Sequence, residues 1–280
     1  MSKIVIGIHG LSNKPAANIL EKWWEEAIRE GLSKNEEMDN VSLNFSSVYW
    51  ADVLYEKPNE QPENHPDAYR PAAKDEIQPY NENWVDSLRE KFRDAGGDAM
   101  DTLKEWFGID KTADKVLEKK LPDLSRYYKE EAIRTELRRR LKDEIRKHTG
   151  QNILLIAHSM GSIIAYDVLR EMGHESPKPV IDHFLTIGSP LGLPHVKMKI
   201  EDESAPVRTP TIVRRWSNLA DRRDPVAVDL HLGDDYGPNV NGVRVKDDLV
   251  LNDWGGINHK SFGYLRTPEF SAILAKFLDA

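Results

Sequence analysis

Apolar residues along the chain recur with two periods, and the order in which those periods alternate is the first guide to its architecture. Ile4 to His9 is a short, β-branched apolar run and reads as a buried strand. Between Pro15 and Gly31 the pairs Ile19/Leu20, Trp23/Trp24 and Ala27/Ile28 recur at helical spacing, with a proline suited to the first turn and a glycine at the end. Val41 to Trp50 alternates in part and predicts a second strand. Strand, helix and strand within so short a span form a βαβ unit, which requires parallel pairing.

The periodicity then changes. Tyr55 to Pro79, rich in Pro, Asn, Glu and Asp, predicts a surface loop. Beyond it, Trp84, Leu88, Phe92, Ala95, Ala99, Leu103 and Trp106 follow spacings of four and three, an amphipathic helix weakened at Gly96-Gly97. A second stripe carries Ile133, Leu137, Leu141 and Ile145, with Arg138-Arg139-Arg140 at polar positions. Residues 52–150 therefore predict a helical insertion within one domain spanning 1–280. The stripes are most simply packing faces and the charges solvated faces.

Strand–helix alternation resumes at Gln151. Asn152 to Ala157 predicts a buried strand and Ser162 to Leu169 a helix. Val180 to Ile187 and Thr211 to Trp216 predict further strands, Val243 to Val250 a short strand partner, and Pro268 to Leu278 a closing helix. The implied class is α/β, with a mostly parallel sheet of about six strands and helices on both faces.

Between the Asn152–Ala157 strand and its helix stands His158-Ser159-Met160-Gly161. A serine on so tight a strand-to-helix turn has its hydroxyl above the strand edge, at a helix N-terminus that favours developing negative charge. Serine needs a base, an orienting acid and an oxyanion site to act as a nucleophile. His259 combines a late position, a glycine-rich loop and a helix directly after it. The segment Val213 to Val226 offers the acid. Asp224, held extended by Pro225, is preferred over Asp221, with Asp229 a more distant choice, and the aspartate not used is free to pair with Arg222 or Arg223. The oxyanion donors expected are the backbone amides of Met160 and, on the loop after the first strand, Leu11, where Gly10 permits the turn. His9 reads as a loop-shaping residue and His158 as packing beneath the elbow.

Composition narrows the partners. Lys and Arg number 39 against 47 Asp and Glu, a net charge of −8, which argues against a nucleic-acid partner or an anionic membrane surface. No apolar run reaches transmembrane length, so stable membrane insertion is not expected. The absence of cysteine excludes disulfides and cysteine chemistry. No zinc spacing, P-loop or dinucleotide fingerprint occurs, Asp234-Asp235-Tyr236-Gly237 lacks an EF-hand pattern, and no cofactor or metal is expected. The N-terminus does not read as a signal peptide, and cytoplasmic is the default expectation.

The pattern resembles the α/β-hydrolase superfamily of the lipase and esterase type. Four matches carry the resemblance: His9-Gly10 after the first strand, the elbow at Ser159, Gly188-Ser189-Pro190 after the next strand, and the order Ser159, Asp224, His259. It covers roughly residues 3–50 and 150–280. Ala157 stands where the commoner pattern has glycine, and the chain starts at what resembles the family's third strand. The resemblance implies an α/β-hydrolase fold, a Ser-His-Asp triad and a cap or lid formed by residues 52–150. In that cap Trp84, Phe92, Met100, Trp106 and Phe107 would line an acyl pocket. The function so implied is a soluble carboxylesterase acting on a small-molecule acyl ester. A lipase or phospholipase, thioesterase, amidase or acyltransferase would use the same residues, and a non-catalytic binding protein on a hydrolase scaffold is the reading from another class. Oligomeric state is left open.

Overall fold

Six strands form one sheet, and every pairing in it is parallel. The computed structural model describes residues 2–59, 68–73, 77–81, 121–227, 229–255 and 258–279. The strands are β1 (Lys3–Ile8), β2 (Phe45–Val48), β3 (Asn152–His158), β4 (His183–Ile187), β5 (Trp216–Ala220) and β6 (Val245–Leu249), in the spatial order β2-β1-β3-β4-β5-β6. Chain order reverses between β1 and β3, so the loops leaving their carboxyl ends diverge and open a crevice there.

Alternation along each strand builds two cores. Ile4, Ile6 and Ile8 of β1, with Ile153 and Leu155 of β3, face one layer; Val5, Leu154 and Ile156 face the other. The first layer holds the helices α3 (Pro122–Lys129), α4 (Glu131–Lys147) and α5 (Met160–Met172). The second holds α1 (Ala17–Glu36), α8 (Ser261–Leu265) and α9 (Pro268–Asp279). Shorter helices α2 (Ala51–Leu54), α6 (Pro194–Ser204) and α7 (Leu232–Asp235) lie in the connections. No helix among the described residues is long and apolar enough to cross a membrane.

Several boundaries differ from those the periodicity suggests. Helix α1 runs through Gly31 and ends at Glu37, a left-handed residue with φ 57°. Gly31 is a packing position: a Cβ there would lie 2.8 Å from Arg266 Cα and 2.8 Å from Ser271 Oγ, so its absence lets α1 approach the last two helices. The strand expected at Thr211–Trp216 instead begins at Trp216, and before it only Val213 makes an isolated bridge, to Ile181. Residues 45–48 pair on β1, fewer than the expected 41–50, and Val245–Leu249 is a parallel edge strand.

Of the stretch expected to form a cap, α3 and α4 lie in the same core as β1 and β3, and α4 leads directly into β3. Residues 82–120, with Trp84, Phe92, Met100, Trp106 and Phe107, lie outside the described residues. Arg138, expected on a solvated face, is buried. Its guanidinium lies 2.7 Å from Asp167, 2.6 Å from Glu171 and 2.7 Å from Glu203, and its Nε donates to Tyr127 Oη at 2.7 Å. The ion pairs tie α4 to α5 and α6, and the tyrosine hydrogen bond ties it to α3.

Candidate active site

The turn between β3 and α5 carries Ser159 at φ 53°, ψ −131°, a region that non-glycine residues rarely enter and that costs roughly 1–3 kcal/mol. Two contacts hold it there. The Ser159 amide donates to Ile187 O of β4 at 3.2 Å, and the Ser162 hydroxyl donates to Ser159 O at 2.7 Å while sharing a second bond with Ser189 Oγ at 2.7 Å. Gly161 lets the helix lie against β1: a Cβ there would come within 2.6 Å of His9 O and 2.7 Å of Ile8 O. Ala157 is fully buried in the strand.

Ser159, His259 and Asp224 are hydrogen-bonded in series. His259 Nε2 lies 2.9 Å from Ser159 Oγ, and His259 Nδ1 lies 2.7 Å from Asp224 Oδ2. A carboxylate can only accept, so Nδ1 carries the proton and Nε2 is left to accept from the serine hydroxyl. Asp224 is buried and its carboxylate is fully engaged. Oδ1 accepts the amides of Val226 (2.8 Å) and Ala227 (3.4 Å), and Oδ2 accepts both His259 and the Tyr264 hydroxyl, at 2.7 Å each. Gly188, at φ 53°, makes room for this pair, since a Cβ there would stand 2.9 Å from Asp224 Oδ2 and 3.3 Å from His259 Nδ1.

Asp221 is held elsewhere. Its carboxylate receives the Arg223 side chain at 2.6 Å and the Asn252 amide at 2.6 Å. Asp229 lies near Asp234 and Asp235, with Lys197 Nζ 2.6 Å from Asp235 and 3.8 Å from Asp229, so a side-chain ammonium supplies positive charge to those carboxylates.

Three further residues were not legible as parts of the site. Tyr264 donates to Asp224 and accepts the Asp221 amide at 3.1 Å, and burial pushes its phenol well above the usual range, so it stays protonated. Asn252 and Asn258 fasten the loop that carries His259. The Asn252 side chain donates to Lys260 O at 3.0 Å, and that of Asn258 to Asn252 O at 2.8 Å. Their only sequence signal is an asparagine at each end of a glycine-rich loop, a common turn residue.

The two other nearby histidines are neutral by burial. The His158 ring lies 4.9 Å from that of His259 and donates through Nε2 to His259 O at 2.8 Å; burial, then the neighbouring His259, holds its pKa well below the usual value. His9 is lowered to about 3, chiefly by burial. Its Nε2 accepts the Trp50 amide at 3.1 Å, so Nδ1 donates to Gly10 O at 2.9 Å. In a trans peptide the C=O and N–H point in opposite directions, so this bond turns the Leu11 N–H away from His9. The loop abuts the serine, since a Cβ on Gly10 would fall 2.6 Å from Ser159 Cβ. The Met160 amide opens α5 and is among the first-turn donors with no intrahelical acceptor.

Over residues 94–201 the chain matches a family described as alpha/beta hydrolase of unknown function (DUF900). The matched span contains Ser159 but neither Asp224 nor His259. No curated protein matches the chain. Six parallel strands in this order, with the elbow after β3, make the fold that of an α/β-hydrolase.

Proposed function

We propose that this chain, an α/β-hydrolase by fold, cleaves carboxylic esters through an acyl-enzyme formed on Ser159. The observation that carries the reading is the unbroken series Ser159–His259–Asp224, at 2.9 and 2.7 Å, on a serine held in a strained turn. His259 Nε2 takes the hydroxyl proton as Ser159 Oγ attacks the acyl carbon, then returns it to the leaving alcohol. Asp224 holds the ring in the required tautomer and stabilises the imidazolium, as the buried acid of such a triad does. The Met160 and Leu11 amides stabilise the oxyanion, helped by the N-terminus of α5. Water, activated by the same imidazole, then releases the acid and restores the serine.

Two features support a working acid rather than a structural one. Tyr264 and two backbone amides fill every other acceptor position of Asp224, so its orientation toward His259 is constrained. Asp221, the alternative acid, is already committed to Arg223.

A fluorophosphonate probe tests the nucleophile. The unmodified chain is expected to label and to hydrolyse short p-nitrophenyl esters, and Ser159→Ala to do neither. Equal labelling of the two proteins would refute the assignment. A panel of acyl esters, thioesters and amides of graded chain length then ranks the substrate classes that this machinery serves.

A further inference from the structure

A second, differently charged site lies at the opposite end of the sheet. Beside the first residues of β4 and β5 and the start of β6, a groove of about 510 Å³ is closed on one side by α9. Such a volume suits a small ligand. Its floor is His183, Trp216 and Ser217, with His183 Nε2 and Ser217 Oγ 2.9 Å apart. Its rim carries Arg214, Arg215, Arg244, Lys246 and Lys276, all exposed.

These cations stand out on a chain of net charge −8. Arg214 and Lys246 have carboxylate partners, Asp182 and Asp248, each at 2.7 Å, but both pairs are on the surface, where such contacts contribute little. Arg215, Arg244 and Lys276 make no ion pair among the described residues. The unbalanced field reaches the floor: after burial itself, Arg215, Lys246 and Lys276 are what hold the His183 imidazole down, to about 4. A cleft lined by one sign of charge concentrates the opposite ion.

We propose that this groove binds a compact, multiply charged phosphate ester or polyphosphate. Clustered arginine and lysine around a concave floor with two polar side chains is the chemistry that holds such an anion, with the guanidinium groups supplying paired donors. An extended polyanion needs a basic track several nucleotides long, whereas the chain as a whole carries a net charge of −8. The length of a five-residue strand, about 15 Å, separates the groove from the elbow. That exceeds the Debye length of about 8 Å at physiological ionic strength, so the two sites are electrostatically separate.

Calorimetric titration of tripolyphosphate into the full chain, at physiological ionic strength, tests the site. A saturable one-to-one isotherm is expected. The double variant Arg244→Glu/Lys276→Glu should weaken it by about tenfold or more, as expected when charge-assisted contacts are lost. Lys22→Glu/Lys147→Glu, reversing exposed cations elsewhere, should leave it unchanged. In the unmodified chain the His183 ring resonances should titrate at higher pH when tripolyphosphate is bound. No saturation at millimolar tripolyphosphate, or equal weakening in the two double variants, overturns the proposal. So does a single-stranded oligonucleotide that binds through the same residues more tightly than tripolyphosphate. Phosphatidylcholine vesicles with and without phosphatidylinositol bisphosphate identify the source. Binding of the doped vesicles that Arg244→Glu/Lys276→Glu abolishes places the phosphate on a lipid headgroup. Tripolyphosphate binding without vesicle binding places it on a soluble ligand.

Discussion

Two aspartates three residues apart, both buried, have been given different partners by one turn. The Asp224 amide closes that turn on Asp221 O at 3.0 Å, which sends the two carboxylates in different directions. Asp224 meets His259 and Tyr264, and Asp221 meets Arg223 and Asn252. Sequence could present both and favour Asp224 through Pro225, but the choice depends on long-range contacts that no local pattern encodes. Tyr264 was hidden for the same reason, because an aromatic residue in a short apolar helix looks like core. The division predicts opposite phenotypes. Asp224→Asn should lower kcat for a p-nitrophenyl ester on the order of 10⁴-fold, because the amide no longer enforces the tautomer that leaves Nε2 free. Its folding midpoint should change little. Asp221→Asn should keep most of kcat but lower stability by roughly 1–3 kcal/mol, because a buried carboxylate that accepts the Arg223 side chain and the Asn252 amide loses its charge. Steady-state kinetics and urea titration of both variants check this, and a reversed pattern would move the acid to Asp221.

At the scale of elements, the strands with continuous apolar runs are readable, whereas β5, with two adjacent buried polar residues, is not. β1 and β3 follow the expected spans because Ile, Val and Leu fill both faces. β5 was displaced in the reading because Ser217 and Asn218 look like loop residues. In the sheet they are buried and satisfied: Ser217 by His183, and Asn218 by Thr186 and Asp247 on the flanking strands. Charge misled in the same way at Arg138, whose partners come from three other helices. Glycine misled at Gly31, where the missing Cβ serves packing and not termination. Gly161 also serves close packing, of α5 against β1, and its geometry makes the dependence quantitative. The atoms a methyl group would meet belong to the backbone of Ile8, at the end of β1, and of His9 just after it, which cannot yield by side-chain rotation. Gly161→Ala should therefore lift α5 from β1, destabilise the protein by about 1–3 kcal/mol and carry Ser159 out of reach of His259. Thermal unfolding together with fluorophosphonate labelling reads both effects. Normal labelling at an unchanged midpoint would show that the elbow tolerates the methyl group.

Across the whole molecule, the histidines divide by environment, and that division sets how stability responds to acid. His9, His158 and His183 are all lowered chiefly by burial: to about 3 for His9, to about 4 for His183, and well below the ordinary value for His158. Unfolded, each takes up a proton near 6.5, whereas the native state binds none until the pH is far lower. Between those limits the unfolded chain holds more protons, so stability rises with pH and falls on acidification. The stabilisation is fully present above about pH 6.5 and is lost progressively toward pH 4, where His183 charges in the native state. Each such imidazole contributes a slope of up to about 1.4 kcal/mol per pH unit over that window. His183 lies at the end of the sheet away from Ser159, so its contribution can be removed without touching the elbow. His183→Gln keeps a side chain able to reach Ser217 but cannot ionise. Urea unfolding from pH 7 to pH 4.5 should give a shallower loss of stability for this variant than for the unmodified chain, with ester hydrolysis at pH 7 preserved. Parallel stability curves would mean that the burial of His183 is not what couples folding to protons.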